Sequence, residues 1–95
     1  MSEERVSLIR QRLEAAFDPE TLEIHDESHL HIGHAGARSG KGHFRVRIVS
    51  SRFAGTPRRL RHQMVYDALA ELMETEIHAL TLVADVPASP SIGAN

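Results

Sequence analysis

The chain has 95 residues, 41% hydrophobic and 25% charged, which is room for one small domain with one core. It contains no cysteine, excluding disulfides, CxxC redox chemistry, thiolate zinc sites and any iron–sulfur cluster held by this chain alone. The net charge of −2 hides an uneven distribution. Residues 1–27 carry 8 acids against 3 bases, residues 38–62 carry 8 bases and no acid, and residues 63–95 carry 5 acids and no base. A central basic block of this kind either meets an anionic partner or forms a solvated face balanced by neighbouring acids.

Along the chain, Val6, Ile9, Leu13, Ala16 and Phe17 recur at helical spacing. Ser2 is placed as the cap, and Glu3 and Glu4 lie in the first turn, where negative charge is favourable. Asp18-Pro19 stops that helix. Leu22, Ile24 and Asp26 alternate with Glu23, His25 and Glu27, predicting a short strand. His29 to Gly42, with four glycines, reads as a long flexible connection. HFRVRIVSS (43–51) is the clearest strand: Phe44, Val46 and Ile48 face the core, while His43, Arg45 and Arg47 face outward.

Phe53-Ala54-Gly55 forms a turn, after which Thr56 caps a second helical region with Pro57 at its first position. That region carries Leu60, Met64, Ala68, Leu69, Leu72 and Met73 on one side. It reads as one helix, or as a short turn followed by a longer helix. IHALTLVA (77–84) is β-branched and apolar, predicting a largely buried third strand. The α-β-β-α(α)-β order implies an α+β two-layer sandwich, with three strands and helices on one face. The domain spans 1–87, and residues 88–95 are expected to be a disordered tail, the terminal stretch VPASPSIGAN (86–95) having two prolines and little to bury. The N-terminus has no basic region leading into an apolar run, and no apolar run approaches the ~18 residues of a membrane span. A cytoplasmic protein without a membrane partner is expected.

Four of the seven histidines, His25, His29, His31 and His34, lie in HDESHLHIGHAG. Such spacing can support a metal, or it can be polar surface. His78, between Ile77 and Ala79 in an apolar strand, is either satisfied by a backbone carbonyl or is a ligand held on a rigid element beside the histidine-rich loop. RFAGTPRRLRHQMVYDAL has the look of a helix-turn-helix start. In that reading Arg58, Arg59 and Arg61 contact phosphates, and Arg45 and Arg47 extend the patch. No catalytic set is evident: Ser28 lacks a nucleophile-elbow context, and Asp26 and Glu27, adjacent on a strand, point to opposite faces.

Taken in order, Asp26-Glu27-Ser28, His43-Phe44-Arg45-Val46, Ile48-Val49-Ser50, Phe53-x-Gly55, Arg61-His62-x-x-Val65-Tyr66-x-x-Leu69 and Ile77-His78-Ala79-Leu80 resemble the BolA family over roughly residues 5–87. The resemblance implies a KH-like fold of class II type (αββααβ) without a GxxG loop. It implies a non-enzymatic adaptor that pairs with a monothiol CGFS-type glutaredoxin and glutathione, sharing a 2Fe-2S cluster in iron–sulfur trafficking or iron and redox signalling. The histidine after the last main helix maps to His78. The loop ligand maps to His31, with His34 as its rival. Imidazole in place of thiolate makes such a cluster less negative and raises its potential. Some family members are similar to DNA-binding regulators of stress response and cell shape, and that role would map to Arg58, Arg59, Arg61 and His62. Gln63 stands where many members have a third basic residue. The isolated chain is expected to be a monomer or weak homodimer.

Overall fold

Ile9, Leu13 and Phe17 form the buried stripe of α1 (Ser2–Phe17), each no more than 4% exposed. The structure, a computed structural model, describes residues 2–28 and 41–88. α1 takes in Ser2 rather than starting after it. It ends where Asp18 adopts a left-handed φ of 44°, a conformation that Asp tolerates better than most residues, and Pro19 forbids continuation.

Three strands follow the sequence: β1 (Thr21–Asp26), β2 (Gly42–Val49) and β3 (Ile77–Asp85), in the order β1-β2-β3. β1 pairs antiparallel with β2, Leu22 opposite Ile48 and Ile24 opposite Val46. β3 pairs parallel with β2, Phe44 opposite Leu80 and Ile48 opposite Ala84. Strand alternation sends Phe44, Val46 and Ile48 into the core and leaves Arg45 and Arg47 exposed on the other side, as their pattern predicts. The core joins these residues to Ile9, Leu13 and Phe17 of α1 and to Val65, Leu69 and Leu72 of α2 (Arg58–Ala68) and α3 (Ala70–Thr75). The helices therefore cover one sheet face and leave the other open, giving the α+β two-layer architecture.

Four expectations change in detail. The second helical region is a long helix followed by a short one, not the reverse. Leu69, at the join, still donates to Val65 and accepts from Met73, so the axis is interrupted by a single residue. α2 starts at Arg58, with Pro57 as cap and no side-chain capping bond. The Thr56 side chain does not cap, and its carbonyl serves Arg61 instead. Leu60 is 47% exposed, since the first turn of α2 overhangs the core. β3 is half-buried rather than largely buried: it is an edge strand with one face uncovered, and Val83 is 45% exposed. Residues 89–95, most of the expected tail, lie outside the described residues.

Among the described residues, Ser50 is the one buried polar residue. Its hydroxyl donates to the Phe17 carbonyl at 2.6 Å and accepts from the Arg52 N–H at 3.1 Å, and its own N–H donates to the Asp85 carbonyl. Arg52, in the 3-10 turn Ser51–Phe53, donates to the Ala16 carbonyl, so the last carbonyls of α1 receive a hydroxyl and a cation. Ser50→Ala leaves a buried carbonyl and an N–H without these bonds. It is expected to cost about 1–3 kcal/mol, read as a thermal midpoint roughly 4–8 °C lower per kcal/mol. An unchanged midpoint would rule out this role.

Candidate ligand site and basic surface

β3 begins with a one-residue register shift: Gly42 pairs with Ile77, but His43 pairs with Ala79, so His78 has no partner in the ladder. Its side chain is exposed, and among the described residues it makes no hydrogen bond or ion pair. Of the two readings of His78, a ring satisfied by a backbone carbonyl is therefore not what the structure contains. An imidazole on a rigid strand, open to solvent and uncommitted, remains.

Both ends of segment 29–40 are fastened beside it. The Asp26 carboxylate accepts from the Ser28 N–H at 2.9 Å, the local bond that Asp makes readily at a strand end. The Ser28 hydroxyl accepts from the His43 N–H at 3.0 Å, and the Glu27 N–H donates to the His43 carbonyl. At the returning end, the Gly42 N–H donates to the Glu76 carbonyl, two residues before His78. A Cβ on Gly42 would lie 2.7 Å from the Ser28 hydroxyl and 2.8 Å from the Phe44 ring, so this approach requires glycine. Lys41 reaches the Met73 and Glu74 carbonyls at the end of α3. The chain thus leaves and re-enters the sheet at the end where His78 stands. His29, His31 and His34 lie outside the described residues.

The remaining histidines are dispersed. His25 is exposed on the open face opposite Arg45, His43 is half-buried on the same face, and His62 is half-buried on α2. Among the described residues no three metal-ligating side chains converge. On the open face, Arg45 donates to Glu27 at 2.8 Å, and Arg47 stands 3.8 Å from Glu23. The hydrogen bond from Arg45 holds the Glu27 carboxyl below the ordinary glutamate value. Desolvation opposes this as the next largest effect, and the charges of Arg45, His43 and His25 add smaller lowering contributions.

The basic block does not form one patch. Arg58 and Arg59 are exposed at the start of α2 without ion pairs among the described residues. Arg61 donates to the Thr56 carbonyl at 2.6 Å and to the Ala84 carbonyl at 3.1 Å, so its guanidinium ties α2 to the end of β3. Arg45 and Arg47 project from the face opposite α2, and acids of β1 neighbour them. What precedes α2 is a single 3-10 turn, too short to be the first helix of a helix-turn-helix. Tyr66, which in the sequence stands only as part of the family pattern, has a structural task here: its hydroxyl donates to the Leu80 carbonyl at 3.3 Å. The one signal it offered was a polar tip on a half-buried aromatic residue.

A family model described as BolA-like protein matches residues 13–89. The chain is 47% identical over 74 residues to the DNA-binding transcriptional regulator BolA of Escherichia coli (strain K12), covering 78% of this chain and 68% of that protein. It is 42% identical over 85 residues to SufE-like protein 1, chloroplastic/mitochondrial, of Arabidopsis thaliana, covering 84% of this chain but only 23% of that longer protein. Its fold matches the structure of BolA1 from Arabidopsis thaliana with a TM-score of 0.76 and 37% identity, covering 90% and 96% of the two chains. No described helix is long and apolar enough to cross a membrane.

The Glu27 geometry makes a directional prediction. Because the folded-state pKa is depressed, the Arg45–Glu27 pair contributes above the unfolded-state pKa, and its contribution is lost as pH falls through the folded value. In a carboxyl-detected NMR titration, Glu27 should titrate below the ordinary glutamate midpoint and move up toward it in Arg45→Gln. A midpoint that does not move would mean the pair is not formed in solution.

Proposed function

Since the chain belongs to the BolA family, we propose that it is a non-enzymatic adaptor that pairs with a monothiol CGFS-type glutaredoxin and contributes imidazole to a 2Fe-2S cluster shared with that partner and glutathione. The observation that carries this reading is His78: exposed, outside the strand pairing, and next to both anchored ends of the histidine-bearing segment. The chemistry of the donor set fits. A chain without cysteine can offer imidazole but no thiolate, so the thiolates come from the other molecule. His78 is one ligand, and His31 or His34 the second. When bound, the cluster supplies one-electron redox chemistry and a transferable iron–sulfur unit. This chain's part is to hold one imidazole on a fixed strand and bring the other in on a segment whose ends are braced by Ser28 and Gly42. A cytoplasmic location belongs to the same reading.

The test is co-expression of the full chain with a CGFS glutaredoxin in the presence of glutathione, followed by visible absorption and circular dichroism. His78→Ala is expected to abolish the cluster bands characteristic of the mixed complex while the two chains still co-elute. His31→Ala and His34→Ala, compared singly, identify the second ligand by the same loss. Unchanged spectra in all three variants would end the assignment.

A second reading is favoured by Arg58 and Arg59, exposed and uncommitted at the start of α2, and by the DNA-binding regulator among the relatives. Here α2 would meet phosphate, with His62 half-buried behind it. Binding to duplex DNA should weaken steeply with salt, and each removed phosphate contact should reduce the log–log slope by about 0.9. Arg58→Ala/Arg59→Ala should flatten that slope at unchanged thermal midpoint. Arg61→Ala should instead lower the midpoint, because its guanidinium already serves two carbonyls. Salt-insensitive binding would remove the DNA reading.

A further inference from the structure

A three-stranded sheet has two edges, and here the two are finished differently. The bond from the Ser50 N–H to the Asp85 carbonyl turns the backbone groups of the odd-numbered β3 residues toward β2, leaving Leu80, Leu82 and Ala84 facing outward. α2 closes this edge: Tyr66 donates to the Leu80 carbonyl and Arg61 to the Ala84 carbonyl. On β1, the bond from the Glu27 N–H to the His43 carbonyl fixes the odd residues as those that face β2. The N–H and C=O of Leu22 and Ile24 therefore face outward. Arg10 reaches the Leu22 carbonyl only at 3.5 Å, and among the described residues no helix side chain bonds to the backbone of Ile24. An edge strand left in this state is a template for another strand.

The sequence of that edge is complementary to itself. If a second copy runs antiparallel about a two-fold axis at Ile24, Ile24 exchanges both backbone bonds with its own counterpart. Glu23 then lies directly opposite His25 of the second copy, and His25 opposite the second copy's Glu23. Both side chains are exposed on the open face, where there is no helix to obstruct them. Glu23 has Arg47 at 3.8 Å and so keeps acceptor capacity, and an imidazole N–H can donate to it whether or not the ring is charged. The same strand set against a copy shifted by two residues would lose both Glu–His pairs. We infer that the open β1 edge is a self-association surface, on which a second copy of this chain extends the sheet from three strands to six through Ile24–Ile24 backbone pairing and reciprocal Glu23–His25 contacts. This inference is independent of the glutaredoxin reading, since it uses neither His78 nor segment 29–40. A pairing this short makes a weak dimer, populated at high concentration.

The experiment uses the full chain. Sedimentation velocity from micromolar to millimolar concentration should show a monomer–dimer equilibrium, and amide exchange at Ile24 should slow as the dimer forms while that at Leu82 does not. Glu23→Lys removes the acceptor of both reciprocal contacts, sets a cation opposite each imidazole, and should weaken association about tenfold. Glu23→Lys/His25→Glu restores an opposite-charge pair and should recover it. Thermal midpoints of the monomers check that each variant folds. A chain that stays monomeric at millimolar concentration overturns the inference. So does a dimer that protects Leu82 instead of Ile24, or a charge swap that fails to restore association.

Discussion

The Ser50 hydroxyl sits where α1, β2 and β3 end and the 3-10 turn begins. It holds the last carbonyl of α1, the N–H that opens the 3-10 turn and, through its own backbone, the last residue of β3. A buried polar group is stabilising only when its bonding capacity is met, and here donor and acceptor are both used. The Phe17 and Phe53 rings, 5.0 Å apart, pack at the same point, so the apolar and polar contacts constrain the same junction. α1 is thereby set at a fixed place across the sheet, and Arg5 and Arg12 extend the hold to α3 through Glu76 and Glu71.

From this junction the sheet runs to its opposite end, which is built on different terms. There a glycine replaces bulk, the Ser28 hydroxyl caps an N–H of the next strand, and the loop's two stems meet beside the irregular start of β3. One end of the sheet is closed by side-chain packing. The other is closed by backbone and small residues, and an exposed imidazole stands there.

The sequence made some of this legible and hid the rest for a consistent reason. The alternation of Phe44, Val46 and Ile48 and the helical spacing of Ile9, Leu13 and Phe17 are local patterns, and burial followed them. β3 misled because an apolar run looks the same on an edge as in the middle of a sheet; only the strand order shows that Val83 has nothing over it. Arg61 was read with Arg58 and Arg59 because the three sit together in the chain. Its partners, the carbonyls of Thr56 and Ala84, are backbone atoms that every residue carries, so no residue pattern announces them. The basic block of residues 38–62 likewise divides in the fold, since Glu23 of β1 and Glu27 just after it stand beside Arg47 and Arg45 on one face while Arg58 and Arg59 lie on α2. His78 stood out in sequence as a polar ring where none is needed to make a strand, and that oddity survives in the structure.

The register shift at the start of β3 has a consequence for how this position can vary. Ile77 and Leu80 both face the core although they are three residues apart, an odd separation that a regular strand cannot accommodate. Count the strand without residue 78, and Ile77, Ala79 and Leu80 fall into ordinary alternation against Gly42, His43 and Phe44. His78 is thus the surplus residue of its own strand. Neither the ladder nor the core dictates what side chain it carries, and the choice is left to whatever the protein meets at that end.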